Sequence, residues 1–389
     1  LLEALAADAC VVVTDEFPCF FLPRMIASAA KKLDVRLEVV DSNGLLPLRA
    51  SDQVFLTACA FRRFLQKNLP AHLLEVPARN PLAEANFARG AEIPQQILKR
   101  WPMANPEILE NRHSSLAASP IDHFVIPCET IGGAAAAFTQ LSIFLKDRFA
   151  DYGEHRNEPE RDATSGLSPY LHFGHISVHD VFQKLTSREK WMPEKLSVRA
   201  NGSREGWWNM SGTAEGFLDE LITWREVGYN FCSHRKDYDQ FESLPDWAQE
   251  TLKTHARDER AHLYSLEQFE AAQTHDPLWN AAQMQLVREG RMHNYLRMLW
   301  GKKILEWSKS PGRAAEIMID LNNKYGLDGR NPNSYTGIFW VLGRYDRPWG
   351  PERPIFGTVR YMSSENTARK FSVKNYIYKY CIQQTALRF

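Results

Sequence analysis

Two short β-branched runs, ACVVVTD (9–15) and RLEVVDSNG (36–44), alternate with a helical pattern near the start of the chain. Each run ends in turn-forming residues, so together they predict a βαβ unit of a parallel sheet, its first strand buried. Two strands are too few for an independent sheet of this kind. The opening LLEALAADACVVVTDEF is therefore read as entering a doubly wound α/β domain part-way, with earlier sequence missing. Prolines at 70, 77, 81, 94, 102, 106, 120 and 127 predict an irregular connection. Beyond Glu129 the periodicity turns helical and stays so. AAAAFTQLSIFLKDRFADY, SVHDVFQKL, AEGFLDELITWREVGYNF, AAQMQLVREGRMHNYLRMLWGKKILEW and RAAEIMIDLNNKY all suit amphipathic or buried helices. The expected architecture is α/β plus α. A partial α/β domain spans 1–70, a linker 71–128 and an all-helical domain 129–389.

The 389 residues, 44% of them hydrophobic, suffice for two cores. Six scattered cysteines without a CxxC pair fit reduced thiols and a cytoplasmic setting rather than a disulfide framework. No apolar run reaches membrane-spanning length. The net charge is zero but unevenly spread: Gln283–Phe389 holds 18 Lys and Arg against 8 Asp and Glu. That excess suggests a basic surface able to meet phosphates, or a solvated basic face with no partner.

Candidate chemistry is sparse at first sight. Walker A and GxGxxG motifs are absent, and GGAAAA (132–137) reads as a helix start. TSGLSPYLHFG (164–174) offers more: small side chains, free backbone N–H groups, and Ser168 before Pro169 as an expected helix cap. Such a helix start could receive a phosphate, or simply be capped. His172, His175 and His179 lack a completing ligand set, so no metal is expected. In FLDELITWRE, Glu220 and Trp224 stand four apart on one helix face, as a substrate clamp or as a surface acid beside a core ring. Trp300 and Trp307, two turns apart, are either core rings or a line of redox-active rings, with Arg297 one turn earlier. Gly343–Met362 interleaves Arg344, Arg347, Arg353 and Arg360 with Tyr345, Trp349 and Phe356, a pattern suited to nucleic acid or to an arginine-rich surface loop.

The ordered set SGLSPYLHFGHIS, EGFLDELITWREVGYNF, HDPLWNAAQ, GRMHNYLRMLWGKKILEW, LNNKYGLDGRNP and RPIFGTVRYM resembles the class II cyclobutane pyrimidine dimer photolyases. The resemblance runs from about residue 10 to residue 380 and is strongest from Tyr152 onward. It implies an N-terminal α/β domain, often holding an antenna chromophore, and a helical domain holding FAD, reduced and anionic when active. The implied activity is light-driven splitting of pyrimidine dimers in DNA by an electron from the excited flavin. A cryptochrome-like photoreceptor on the same scaffold is the alternative. The resemblance further implies a soluble monomer with no membrane or protein partner.

Carried over by position, Tyr152, Thr164, Ser165, Gly166, Leu167 and Ser168 resemble the FAD phosphate and ribityl site. Arg297 and Asp328 resemble the ion pair at the isoalloxazine, and Asn322 the residue facing flavin N5. Glu220 matches the acid that hydrogen-bonds the dimer. Trp224, Met298 and Trp340 resemble the lesion-pocket walls. Asp346, Arg347 and Arg360 match the region that fills the gap left by a flipped dimer. Trp300, Trp279 and Trp307 match a relay carrying electrons from the surface to the flavin. One departure stands out: the stretch from Trp340 to Asp346 is a residue shorter than usual, with Tyr345 where a histidine is common.

Overall fold

The computed structural model describes residues 1–78, 92–103 and 119–381, with the single positions 80, 83 and 116. Pro81 and Pro106 of the proline-rich stretch lie outside the described residues. β1 (Val11–Asp15) pairs in parallel with β2 (Arg36–Val40) through the helix Leu22–Ala30, which is the expected βαβ unit. The first strand is not buried, however: Val13 is 58% exposed. Among the described residues the sheet has two strands, and of β1 the alternate residues Val12 and Thr14 are partly buried while the others are exposed. The proline-rich stretch also contains regular structure, the helix Gln95–Arg100. Pro94 sets the entry angle, and the next six residues contain no breaker.

The segment after β2 is tied to the helical part by buried polar groups. Glu226 accepts the backbone N–H groups of Leu45 (2.7 Å) and Leu46 (3.2 Å), while the Arg225 guanidinium donates to the Asn43 carbonyl. Burial pushes the Glu226 carboxyl up to about 7, against the pull of those N–H donors and of Arg225. Leu45, Phe61, Leu65 and Leu69 share one apolar core with Leu141, Phe217 and Ile222.

Two helices are interrupted by π-helical turns. One, Phe144–Arg148, joins Ala134–Ile143 to Phe149–His155; the other, Asp219–Trp224, joins Gly212–Leu218 to Arg225–His234. The long pattern of residues 281–307 splits in two at Gly290. Pro277–Glu289 ends there on a left-handed residue (φ 65°), and Asn294–Trp307 begins afresh. Leu327 donates to the Gly290 carbonyl, and a Cβ at that glycine would lie 2.6 Å from the Leu327 side chain. A second core collects Trp279, Trp300 and Trp307 with Leu296, Met318 and Phe339.

Candidate active site

A cavity of about 1540 Å³ opens into the helical part, and both π-interrupted helices reach it. The wider π turn sends adjacent carboxylates different ways. Asp219 turns inward to a bidentate pair with Arg62 from the helix Ala58–Asn68 (2.7 and 3.1 Å). Breaking such a buried pair costs about 3–5 kcal/mol, so it anchors the turn. Glu220 instead faces the cavity with Trp224. There its Oε1 lies 3.2 Å from Arg156 Nη1, which also donates to the Tyr152 hydroxyl at 3.2 Å. Burial raises the Glu220 pKa; Arg156 works against this and Asp219 adds to it. Tyr152 is buried against Phe144 and Phe217.

Thr164, Ser165, Gly166, Leu167 and Ser168 all line the same cavity. Gln140 Nε2 donates to the Ser165 carbonyl at 2.7 Å. Gly166 takes φ 67°, and a Cβ there would come within 2.8 Å of that amide nitrogen. Ser168 is not the cap expected of it. The one-turn helix Ser168–His172 is preceded by Leu167 in helical conformation, and no side chain caps it. The chain is already turning before Ser168, which leaves its hydroxyl inside the helix rather than ahead of it.

Across the cavity, Arg297 pairs with Asp328 (3.1 Å). Asn322 is buried, and among the described residues its Nδ2 has no partner although the residue forms part of the wall. His293, at the head of the helix Asn294–Trp307, also lines the wall. Burial and Arg291 lower its pKa to about 4, so the ring is neutral.

Of the three indoles, Trp300 lines the cavity while Trp279 and Trp307 lie behind it. Trp300 Nε1 donates to Gln283 Oε1 (2.9 Å), and Trp279 Nε1 to the Trp300 carbonyl (3.0 Å). The Trp279 and Trp307 rings are 6.0 Å apart. Trp307 does not reach the surface expected of an outer ring, being 3% exposed. Tyr264 (5.7 Å) and the exposed His275 (4.9 Å) stand against it instead.

Met298, Trp340, Asp346 and Arg360 complete the cavity wall; Arg347 does not line it. Arg360 pairs with Asp346 (3.0 Å) and lies over two indoles, Trp349 at 4.1 Å and Trp340 at 5.5 Å. The exposed Arg347 covers Trp349 at 4.6 Å. Tyr345, at the shortened spacing, takes φ 61° and packs edge-on to Trp224 at 6.4 Å. The histidine string serves separate partners: His175 accepts the Gly133 N–H, and His172 faces Asn331.

Arg156, Gln140 and Arg62 escaped the sequence reading. Arg62 and Gln140 act through partners far along the chain, and Arg156 joins Tyr152, four residues earlier, to the distant Glu220, so local spacing does not mark their roles. Trp349 was visible only as one aromatic in an arginine-rich run.

The chain is 35% identical over 374 residues to a deoxyribodipyrimidine photo-lyase of Methanothermobacter thermautotrophicus, covering 96% of this chain and 74% of that protein. It is 44% identical over 245 residues to one of Potorous tridactylus, covering 63% of this chain and 42% of that longer protein. No family model matches. Among solved structures, a class III photolyase from Agrobacterium tumefaciens superposes with a TM-score of 0.63 at 19% identity, over 96% of this chain and 68% of that one. The fold is thus that of the photolyases. The chain belongs to the deoxyribodipyrimidine photo-lyase family of enzymes.

Proposed function

We propose that this enzyme splits cyclobutane pyrimidine dimers in DNA, in the manner of the class II photolyases, with FAD held in the cavity. The observation that carries the proposal is Glu220, bridged to Arg156 in the cavity lined by Trp224, Met298 and Trp340. A hydrogen-bonding acid beside flat apolar walls suits a pair of linked pyrimidines. The names of the relatives point the same way.

The residues present fit FAD. Asn322 offers a buried amide whose Nδ2 has no partner among the described residues, Thr164 to Ser168 line the cavity, and Arg297 with Asp328 supplies a balanced ion pair. When bound and reduced, FAD supplies under blue light the electron that opens the cyclobutane ring, and receives it back. Thr164 to Ser168 would hold its phosphates, and Asn322 and the Arg297–Asp328 pair its ring.

The chain's own groups then bind and orient the lesion. Glu220, its pKa raised by burial, hydrogen-bonds a dimer carbonyl. Trp224 and Trp340 stack on the extruded bases, at about 1–3 kcal/mol per base. That offsets the few kcal/mol of unstacking, which is smallest at a damaged step. Asp346, Arg347 and Arg360 hold the opened strand. Trp300, Trp279 and Trp307 would pass electrons from an external reductant toward the flavin, each indole that gives up an electron being refilled by the next.

Light-dependent reversal of a thymine dimer in an oligonucleotide tests the proposal. Loss of dimer under blue light, and none in the dark, is expected. A yellow, FAD-loaded and photoreducible protein that leaves the dimer intact would favour the photoreceptor alternative.

A further inference from the structure

Three indoles meet the cavity, Trp224, Trp300 and Trp340, and the last two have different surroundings. Their helices pack directly: a Cβ at Gly301 would lie 2.8 Å from Val341. Beyond Trp300 the aromatic path runs inward to Trp279 and Trp307. Beyond Trp340 it points outward, to Trp349 on the arginine-rich face; the Arg360 guanidinium covers both rings, with its charge balanced by Asp346 at 3.0 Å. An indole that lost an electron there would place an oxidising hole beside bound DNA.

The cations differ as well. Lys302 is completely buried, with its Nζ donating to the Val341 carbonyl and lying 5.5 Å from the Trp340 ring centre; burial lowers its pKa to about 7, so it carries its charge below that pH. Among the described residues it has no ion-pair partner within 4.0 Å; the charges that act on it are Asp346 and Arg360. The neighbouring Lys303 lies 5.4 Å from Trp307, but Glu306 neutralises it at 2.8 Å. No cation covers the Trp279 or Trp300 ring among the described residues. A cation over an indole attracts the neutral ring but repels the radical cation, most strongly where the dielectric is low.

We propose that Lys302 acts through Trp340 as an electrostatic barrier: it keeps Trp340 from losing an electron, so that holes leave the cavity through Trp300 and stay away from the DNA face. The inference rests on the proposed flavin site. In each blocked step an indole would give one electron to photoexcited oxidised flavin; one added dithiothreitol, going to its cyclic disulfide with release of two electrons and two protons, would refill two such indoles.

The test uses FAD-loaded protein at pH 6, where Lys302 is charged, with blue light and dithiothreitol in the Trp300→Phe background, where the inner route is closed. Adding Lys302→Met should raise the flavin reduction rate at least threefold, and Trp340→Phe on top should abolish the gain. A flavin-independent measurement accompanies it. Radiolytic azidyl radicals oxidise the protein in the dark, and peptide mass spectrometry locates the oxidised indoles. Lys302→Met alone should increase oxidation at Trp340 and Trp349 at least threefold, with Trp279 unchanged. Unchanged oxidation at Trp340 would overturn the barrier, as would a Lys302→Met effect that survives Trp340→Phe. If the protein takes up no FAD, the flavin-site reading fails instead; if Trp300→Phe photoreduces like the parent, the inner relay fails, and in either case the radical mapping still decides the role of Lys302.

Discussion

Arg156 Nη1 lies 3.2 Å from both the Glu220 carboxylate and the Tyr152 hydroxyl, so one guanidinium joins two walls of the cavity. Glu220 is under opposing influences. Burial and Asp219 favour its neutral form, and Arg156 favours the charged one. Arg156 thereby tunes whether the acid can donate a hydrogen bond or only accept one.

Removing that guanidinium should shift the balance. In Arg156→Met the Glu220 pKa should rise further, because the burial effect loses its main opponent. The protonated carboxyl stretch near Glu220, followed by infrared titration and assigned with Glu220→Gln, should then persist to higher pH than in the parent. A titration that stays in place would show that Arg156 does not govern the acid.

Glu220→Ala should retain FAD while lowering the yield of dimer splitting several-fold, because the side chain serves the lesion rather than the cofactor. Glu220→Gln should fall between parent and alanine, since an amide can still donate to a carbonyl. Flavin absorbance and repair yield per absorbed photon, measured on the same preparation, decide it. Loss of flavin with normal repair after reconstitution would contradict this placement.

The two positions show what local sequence can reveal. Glu220 and Trp224 were legible from their spacing on one helix, and the βαβ unit from its β-branched runs. Arg156 was not, because its significance comes from Tyr152 at one end and Glu220 at the other, across separate helices. The split at Gly290 was hidden by a hydrophobic period that continues through it. The side chain that requires a glycine there is Leu327, in another segment. The exposed first strand was misread because β-branched composition reports strand propensity, whereas burial depends on the layers stacked over it.

The arginine-rich segment should bind DNA through two different arginines. Arg347 is exposed and touches Trp349, so Arg347→Ala should reduce the salt dependence of binding by about 0.9 log unit for each phosphate left without its cation. Arg360 also supports Trp340 and Trp349 and pairs with Asp346, so Arg360→Ala should weaken lesion binding further than intact-strand binding. Fluorescence anisotropy with damaged and undamaged oligonucleotides at several salt concentrations separates the two effects. Equal, salt-independent affinities in parent and variants would reduce the segment to a solvated face.

Glu226 should make stability pH-dependent. Its folded pKa, about 7, exceeds the roughly 4.3 of an unfolded glutamate. Between those values the unfolded chain has released its proton and the folded chain still holds it. Stability from this group is therefore fully present below about pH 4 and is lost as pH rises, by about 1.4 kcal/mol per unit inside the window. Above the folded pKa the loss is complete. Glu226→Gln, neutral throughout, should remove this slope from urea unfolding curves taken between pH 5 and 8. Identical slopes in parent and variant would show that Glu226 is charged at the interface at all these pH values.

The indole assignment makes the sharpest demand, because the three rings sit in one core and structural loss must be told from interrupted electron flow. Trp300 alone of the three touches the cavity, so Trp300→Phe should remove the first hop while keeping an aromatic ring in place. Photoreduction of bound oxidised flavin with an external reductant should then slow at least tenfold, since phenylalanine is much harder to oxidise. Trp307→Phe should slow it less. Its ring lies behind Trp279, where it prolongs charge separation, and Tyr264 remains within reach of the site. Repair itself passes from flavin to dimer without using these rings. Trp300→Phe reduced with dithionite under anaerobic conditions should therefore split dimers at near-parental yield. Photoreduction at the parental rate would return all three indoles to a packing role. If the chemically reduced variant keeps FAD but fails to repair, Trp300 shapes the lesion site rather than feeding it.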